Sequence, residues 1–300
     1  MVNLNDVTNV HFIGIAGAGM RAIANVFIEK GYHVSGSDLK ASPITEQFAK
    51  KGARICIGQR PENLQDAQVV VISSAIRDTN VELAEARRRG IPVIHRSDAL
   101  VHIMSWGKGI SVAGAHGKTT TSSMLGQVFE ECRQDPTIVI GGEVDYLHSN
   151  SILGKGQYVI AEADESDGTF LKQHPYIAVV TNIDADHMDH YNSLENVIAA
   201  FKEFIQKLDP EKGLAVLCFE NDKIRAMAPS IGRRYVSYGL EQPADYQARD
   251  LHYLKGKLHF SVYKGGQKMG DIGLETYRAG ITSSTLGDDG RCRCLRPALF

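Results

Sequence analysis

The sequence predicts an α/β protein made of two successive domains, an N-terminal Rossmann-like parallel-sheet domain and a central P-loop α/β domain. Three observations carry that expectation. Apolar runs of strand length alternate with segments of helical periodicity. Two of the runs end in glycine-rich turns that open helices, at residues 14–19 and 114–117. A chain of 300 residues is also long enough for two domains of ordinary size.

Composition narrows the function. Apolar content of 43% with 23% charged residues describes a globular chain able to bury a core. A net charge of -2 gives no electrostatic reason to expect nucleic acid or an anionic membrane as a partner. No run approaches the ~20 apolar residues of a membrane span, and the first residues lack a basic segment followed by an apolar one, so a cytoplasmic location is expected. The five cysteines are scattered and read as reduced structural thiols. Cys292 and Cys294 are separated by one residue, where a metal or redox pair has two, and are assigned nothing.

The first domain is expected over residues 1–103. A strand at 10–15 leads into Gly14, Ala16, Gly17, Gly19 and Met20, then a helix at 21–30 and a strand at 32–37 ending on Asp38. This is the order of a dinucleotide-type unit, although Gly-x-Gly-x-x-Gly would need glycine where Ala16 stands. The glycines serve equally well for tight strand-to-helix packing. A helix at 42–51, with Ser42 as cap and Pro43 at its first position, precedes a strand at 53–57. Strands at 69–73 and 92–95 flank a helix at 80–89 ended by Gly90. Ligands of such sheets bind beyond the carboxyl ends of the strands, which draws attention to Asp38, Ser73, Ser74, His95 and Arg96. Each taken singly is as readily a capped or solvated loop residue.

Residues 104–109 break the periodicity and are read as a linker, with the second domain over 110–275. An apolar run at 109–113 climbs into Gly114, Ala115, His116, Gly117, Lys118, Thr119 and Thr120, and a helix is expected at 120–131. That order suits a phosphate cradle. Glycines let backbone N–H groups converge, the helix N-terminus adds positive potential, Lys118 reaches the outer phosphates and the Thr119 hydroxyl suits Mg2+. The usual first glycine of such a loop is missing, since Val112 stands five residues before Gly117.

Further strands are expected at 157–161, 176–181 and 214–218, the first two ending in acidic clusters. Glu162, Asp164, Glu165 and Asp167 repel one another unless solvated or neutralised by a cation. An exposed acidic loop competes with a Mg2+ ligand here, and the adjoining phosphate loop favours the ligand. Asp186, His187 and Asp189 form the second cluster, with His187 as a metal or phosphate contact. The amphipathic segment 196–208 puts Val197, Ala200, Phe201, Phe204, Ile205 and Leu208 on a core face and Lys202 on the other. Segments 248–254, 258–263 and 267–274 alternate around glycine turns and are expected to be antiparallel strands.

Taken together, the run 11–20, the segment 34–38, Ser73 to Ile76 with Asn80, the segment 92–96, the loop 114–120 and the clusters at 162–167 and 186–189 resemble the Mur ligase family. The resemblance covers residues 10 to about 275 and accounts for the missing early glycine. Ala16 and Ala115 depart from the family's usual glycine and threonine. What it implies is an ATP-dependent ligase of peptidoglycan synthesis, in which the wording of residues 11–20 suits the member joining L-alanine to UDP-N-acetylmuramate. The first domain would bind the UDP substrate through Gly14, Ala16, Gly17, Gly19, Met20, Asp38, Ser73, Ser74, His95 and Arg96. The loop 114–120 would bind ATP, with Lys118, Glu162 and His187 catalytic. Thr119, Glu162 and His187 would hold Mg2+ or Mn2+; Glu165 and Asp186 lie in the same metal motifs, and Lys202 is at a similar distance to a carbamylated lysine that supports the second metal in some relatives. A monomer or homodimer is expected.

The resemblance stops near residue 275. The family's third domain is expected to be absent, and residues 276–300 are expected to be an out-of-frame, disordered tail of a shortened ligase with little or no turnover. Three rival readings remain: a related ligase adding a preformed peptide, a non-catalytic nucleotide-binding protein, and an NAD-dependent dehydrogenase that would leave the Lys118 loop unexplained.

Overall fold

Alternation of strand and helix produces the expected parallel sheet in the first hundred residues. The computed structural model describes residues 3–144 and 149–275. The expected tail, with Cys292 and Cys294, lies outside the described residues. The chain divides into two units, residues 1–108 with 126–161, and residues 109–125 with 162 onward.

In the first unit β1 (Asn9–Ile13), α1 (Ala18–Lys30), β2 (His33–Asp38), α2 (Pro43–Lys50), β3 (Arg54–Ile57), β4 (Val69–Ile72), α3 (Val81–Arg88), β5 (Val93–His95) and α4 (Arg96–Met104) follow one another. The five strands lie in the order β3-β2-β1-β4-β5, all parallel. The order reverses between β1 and β4, which places a ligand crevice beyond their carboxyl ends. Local chemistry fixes the helices. Gly31, at φ 97°, ends α1, Ser42 and Thr45 form a capping box on α2, and Asn80 caps α3 through the N–H groups of Glu82 and Leu83. Phe12, Ile15, Ile23, Val26 and Phe27 are buried between sheet and helix.

The second unit is built on β6 (Lys108–Ala113), which leads into α5 (Lys118–Glu131). Helix α5 starts two residues earlier than expected, so Lys118 and Thr119 belong to its first turn. The chain then returns to the first unit with β7 (Thr137–Val144), β8 (Ser149–Ile152) and β9 (Tyr158–Glu162). Strand β7 runs parallel to β9 and antiparallel to β8. In the first unit this group meets α1, where Asn25 Nδ2 donates to Ser151 Oγ at 3.1 Å and Asn150 Nδ2 to the Ala18 carbonyl at 3.3 Å.

The remaining elements are β10 (Ile177–Val180), α6 (Met188–Tyr191), α7 (Leu194–Gln206), β11 (Leu214–Cys218), α8 (Asp222–Met227), β12 (Tyr235–Gly239), β13 (Tyr246–Leu254), β14 (Lys257–Lys264) and β15 (Gln267–Glu275). In the second unit the strand order is β15-β14-β13-β12-β11-β10-β6. The strands β6, β10, β11, β12 and β13 are parallel, and β13 to β15 form the antiparallel meander expected from the glycine turns. Lys255 and Gly256, at φ 52° and 78°, give the tight turn between β13 and β14. On α7 the face carrying Val197, Ala200, Phe201, Phe204 and Ile205 is buried as the periodicity predicts.

Candidate functional site

Strand β6 lies beside β10, with Ala113 opposite Val180, so the loop after Ala113 opens at the carboxyl end of parallel strands. The chain leaves the sheet through Gly114 at φ 146°, where an added Cβ would sit 2.0 Å from Thr181 Oγ1. Only glycine fits there. The next two residues of β10's extension then grip the loop. Thr181 Oγ1 donates to the His116 carbonyl at 2.7 Å, and Asn182 accepts from the His116 N–H at 2.9 Å while donating to its carbonyl at 2.8 Å. Gly117, at φ 81°, turns the chain into α5.

The lysine that this turn delivers is already placed. Lys118 Nζ donates to the Gly114 carbonyl at 2.7 Å and to Glu165 Oε1 at 2.7 Å. The Glu165 side chain is only 4% exposed, and burial pushes its carboxyl above the usual range even though Lys118 draws it down. Its backbone is fixed as well, because Tyr191 donates to the Glu165 carbonyl at 2.5 Å and Gly168 N–H at 3.1 Å. Burial, with the charges of Glu165, Asp167 and Asp164, holds the Tyr191 phenol up to about 12.

The four acids of 162–167 have separate roles in the structure. Asp164 accepts from Ser166 and Asp167 accepts from Thr169, each through backbone and hydroxyl, so both shape turns. Glu165 faces Lys118. Glu162 ends β9, and the bond from Ala163 N–H to the Val112 carbonyl at 2.9 Å lays this segment along the end of β6. His187 has a left-handed backbone, φ 54°, and its ring lies 3.8 Å from Asp186 Oδ2. Asp186 also accepts from the His187 N–H at 2.8 Å. Among the described residues no three His, Cys, Asp or Glu side chains converge as a metal-binding group. Lys202 is half-buried on α7, lining a groove of about 510 Å³ with Glu195, Asp222 and Met227 rather than with the loop residues.

In the first unit the loop after β1 is ordered by β2. The N–H groups of Gly14 and Ile15 donate to the Ser37 carbonyl at 2.9 and 3.0 Å, and that of Ala16 to Asp38 Oδ2 at 3.1 Å. Gly14 is at φ 76° and Gly17 caps α1, whose first turn holds Gly19 and buried Met20. The Arg96 guanidinium lies against Gly19, where a Cβ would come within 3.0 Å of it. Ser74 Oγ and His95 Nε2 are 3.1 Å apart, and Ser73 follows β4. His95 also caps α4. The residues singled out in this domain thus sit at the carboxyl edge of one sheet. Beneath them Glu82 accepts from Ser37 Oγ at 2.5 Å, Asn63 at 2.6 Å and Arg60 N–H at 3.2 Å, with His11 Nε2 at 3.5 Å.

Sequence reasoning missed the grip of Thr181 and Asn182, the anchoring by Tyr191 and the Glu82 network. The signal for the first was present, since a Thr-Asn pair ending the strand next to a phosphate-loop strand can reach across to it.

Comparison with known proteins fits this geometry. The family model described as "Mur ligase family, catalytic domain" matches residues 9–106, and the one described as "Mur ligase middle domain" matches residues 112–277. The UDP-N-acetylmuramate–L-alanine ligases of Syntrophotalea carbinolica and Geobacter sulfurreducens are 46% and 48% identical, over 89% of this chain and 58% of theirs. Among solved structures, UDP-N-acetylmuramate-alanine ligase MurC of Thermotoga maritima superimposes with a TM-score of 0.78 at 28% identity, covering 90% of this chain and 61% of that one. A UDP-N-acetylmuramate:L-alanyl-gamma-D-glutamyl-meso-diaminopimelate ligase from Neisseria gives 0.79 at 25% identity, covering 90% and 88%. The chain spans a little over half the length of the curated relatives it matches. With the middle-domain model alone matching more than half of its residues, the chain belongs to the Mur ligase family.

Proposed function

We propose that the chain carries the sugar-nucleotide and ATP sites of a ligase that joins L-alanine to UDP-N-acetylmuramate. The observation that carries the reading is the Lys118 ammonium, set at the mouth of a glycine loop and the first turn of α5. Such a lysine answers phosphate oxygens, and a helix N-terminus favours anions. UDP would lie against the loop 14–20 with Asp38, Ser73, Ser74, His95 and Arg96 around it, at the switch point of the five-stranded sheet.

The chemistry runs in two steps. The lactyl carboxylate attacks the γ-phosphorus of ATP, forming an acyl phosphate and releasing ADP. The L-alanine amine then attacks the acyl carbon, forming the amide, and phosphate leaves. The first step brings two anions together, and Lys118 supplies the positive charge that offsets the load on the transferring oxygens. The Thr119 hydroxyl and the Glu162 carboxylate are hard oxygen donors suited to Mg2+ or Mn2+, which takes one or two protein oxygens and completes its shell from phosphates and water. Such an ion would neutralise phosphate charge, and the His187 imidazole would offer it a further ligand. The peptide-adding reading draws on the likeness to the Neisseria ligase; the higher identity to the L-alanine ligases favours the alanine reaction.

Calorimetric titration tests the proposal. The purified chain is expected to bind UDP-N-acetylmuramate and ADP independently, and Lys118→Ala to weaken ADP about 100-fold while leaving the sugar nucleotide unchanged. ADP binding that survives Lys118→Ala would overturn the reading.

A further inference from the structure

Glu165 takes no direct part in the proposed reaction, yet among the described residues it makes the one charged contact to Lys118. Its carboxylate is almost fully buried, its Oε1 takes one of the three ammonium N–H groups, and its Oε2 has no hydrogen-bond partner among the described residues. Tyr191 and Gly168 pin its carbonyl, which fixes the backbone from which the carboxylate reaches Lys118. A second ammonium N–H goes to the Gly114 carbonyl.

We propose that Glu165 is the positioning residue of Lys118 and that its carboxylate competes with bound phosphate for the ammonium. This rests on the nucleotide reading of the loop. The pair is electrically neutral, so phosphate oxygens meet a lysine whose charge is shared with a fixed carboxylate. Burial that raises the carboxyl's pKa agrees with a carboxylate short of partners other than Lys118. The arrangement sets the lysine's direction at the expense of ground-state affinity for the nucleotide. Interactions that hold a group in place without tightening substrate binding serve the transition state better than the ground state.

The test uses ADP and inorganic tripolyphosphate as probes, with circular dichroism melts confirming the fold. Glu165→Gln is expected to bind both about tenfold more tightly than the parent chain, and Glu165→Asp, which draws the charge back by one methylene, to give a smaller gain. In a Lys118→Ala background Glu165→Gln should change nothing, because there is no ammonium to release. Unchanged or weaker binding by Glu165→Gln and Glu165→Asp overturns the proposal, and so does a gain that persists without Lys118, since Glu165 would then act on phosphate directly. Failure of Lys118→Ala to weaken ADP would instead strike the nucleotide reading itself.

Discussion

Each unit sets a buried glutamate beneath its glycine loop, and the two are held in opposite ways. Glu82 in the first unit meets four partners, Ser37, Asn63, the Arg60 N–H and His11. Burial pushes its carboxyl up, but hydrogen bonds from His11, Ser37 and Asn63 outweigh it and leave the group below its ordinary range. Glu165 in the second unit has one ion-pair partner, and burial wins. The first carboxylate is fastened as part of the framework, since Ser37 also receives the loop's N–H groups. The second is held by a residue that other anions can claim. A buried charge with a full set of partners stabilises a loop, whereas one with a single charged partner leaves that partner open to competing anions.

The largest expected effect separates the loops by their glycines. At Gly114 a methyl group would strike Thr181 Oγ1 at 2.0 Å and crowd the Asn182 backbone. At Gly14 the nearest atom is Ile76 Cδ1 at 3.6 Å. Gly114→Ala is therefore expected to cost about 4 kcal/mol in urea unfolding and to abolish ADP binding. Gly14→Ala, which carries only left-handed strain, should cost about 1 kcal/mol. Equal losses would show that the two loops are built to the same tolerance.

Much of this was legible. Strand-turn-helix alternation gave the parallel sheets, and Ser42, Pro43 and the Lys255–Gly256 turn act in the structure as their chemistry predicts, while Asn80, read as the first residue of a helix, is its cap. What was not legible has physical reasons. Helix α4 is capped by His95, outside the Ser, Thr, Asp and Asn set that marks helix starts, so its first turn read as loop. Strand β7 carries Gly141 and Gly142, which weaken any strand pattern. Strand β12 is a five-residue segment with a single β-branched residue. Four carboxylates in six residues cannot be ranked from sequence, because which one faces inward depends on turns closed by Asp164 and Asp167.

Glu82→Gln comes next. The amide keeps the shape but turns a donor toward groups that now donate to Glu82, at a cost of about 3 kcal/mol. The pH dependence gives the sign. A carboxyl lowered on folding adds stability that is present above its unfolded pKa and lost as pH falls through the folded value. Urea unfolding between pH 7 and 3 should therefore fall less steeply for Glu82→Gln than for the parent chain. Glu165, raised on folding, works the other way, its contribution being lost as pH rises through the folded value. A parallel acid limb for Glu82→Gln would erase the distinction between the two carboxylates.

The smallest effect tests whether Glu165 is held by its backbone. Tyr191→Phe removes the hydroxyl that donates to the Glu165 carbonyl but leaves the Gly168 N–H in place. A loss of about 1 kcal/mol is expected. The phenol is raised from 10.0 to about 12, so the parent chain's stability from this group is complete below pH 10 and lost as pH rises through 12. Tyr191→Phe should flatten that alkaline limb relative to the parent. ADP affinity should move little, because the Lys118 bonds to Gly114 and Glu165 Oε1 do not involve the phenol. If Tyr191→Phe instead tightens ADP as Glu165→Gln is expected to, the carboxylate has been set loose, and the fixed position that lets it compete for Lys118 depends on this one hydroxyl.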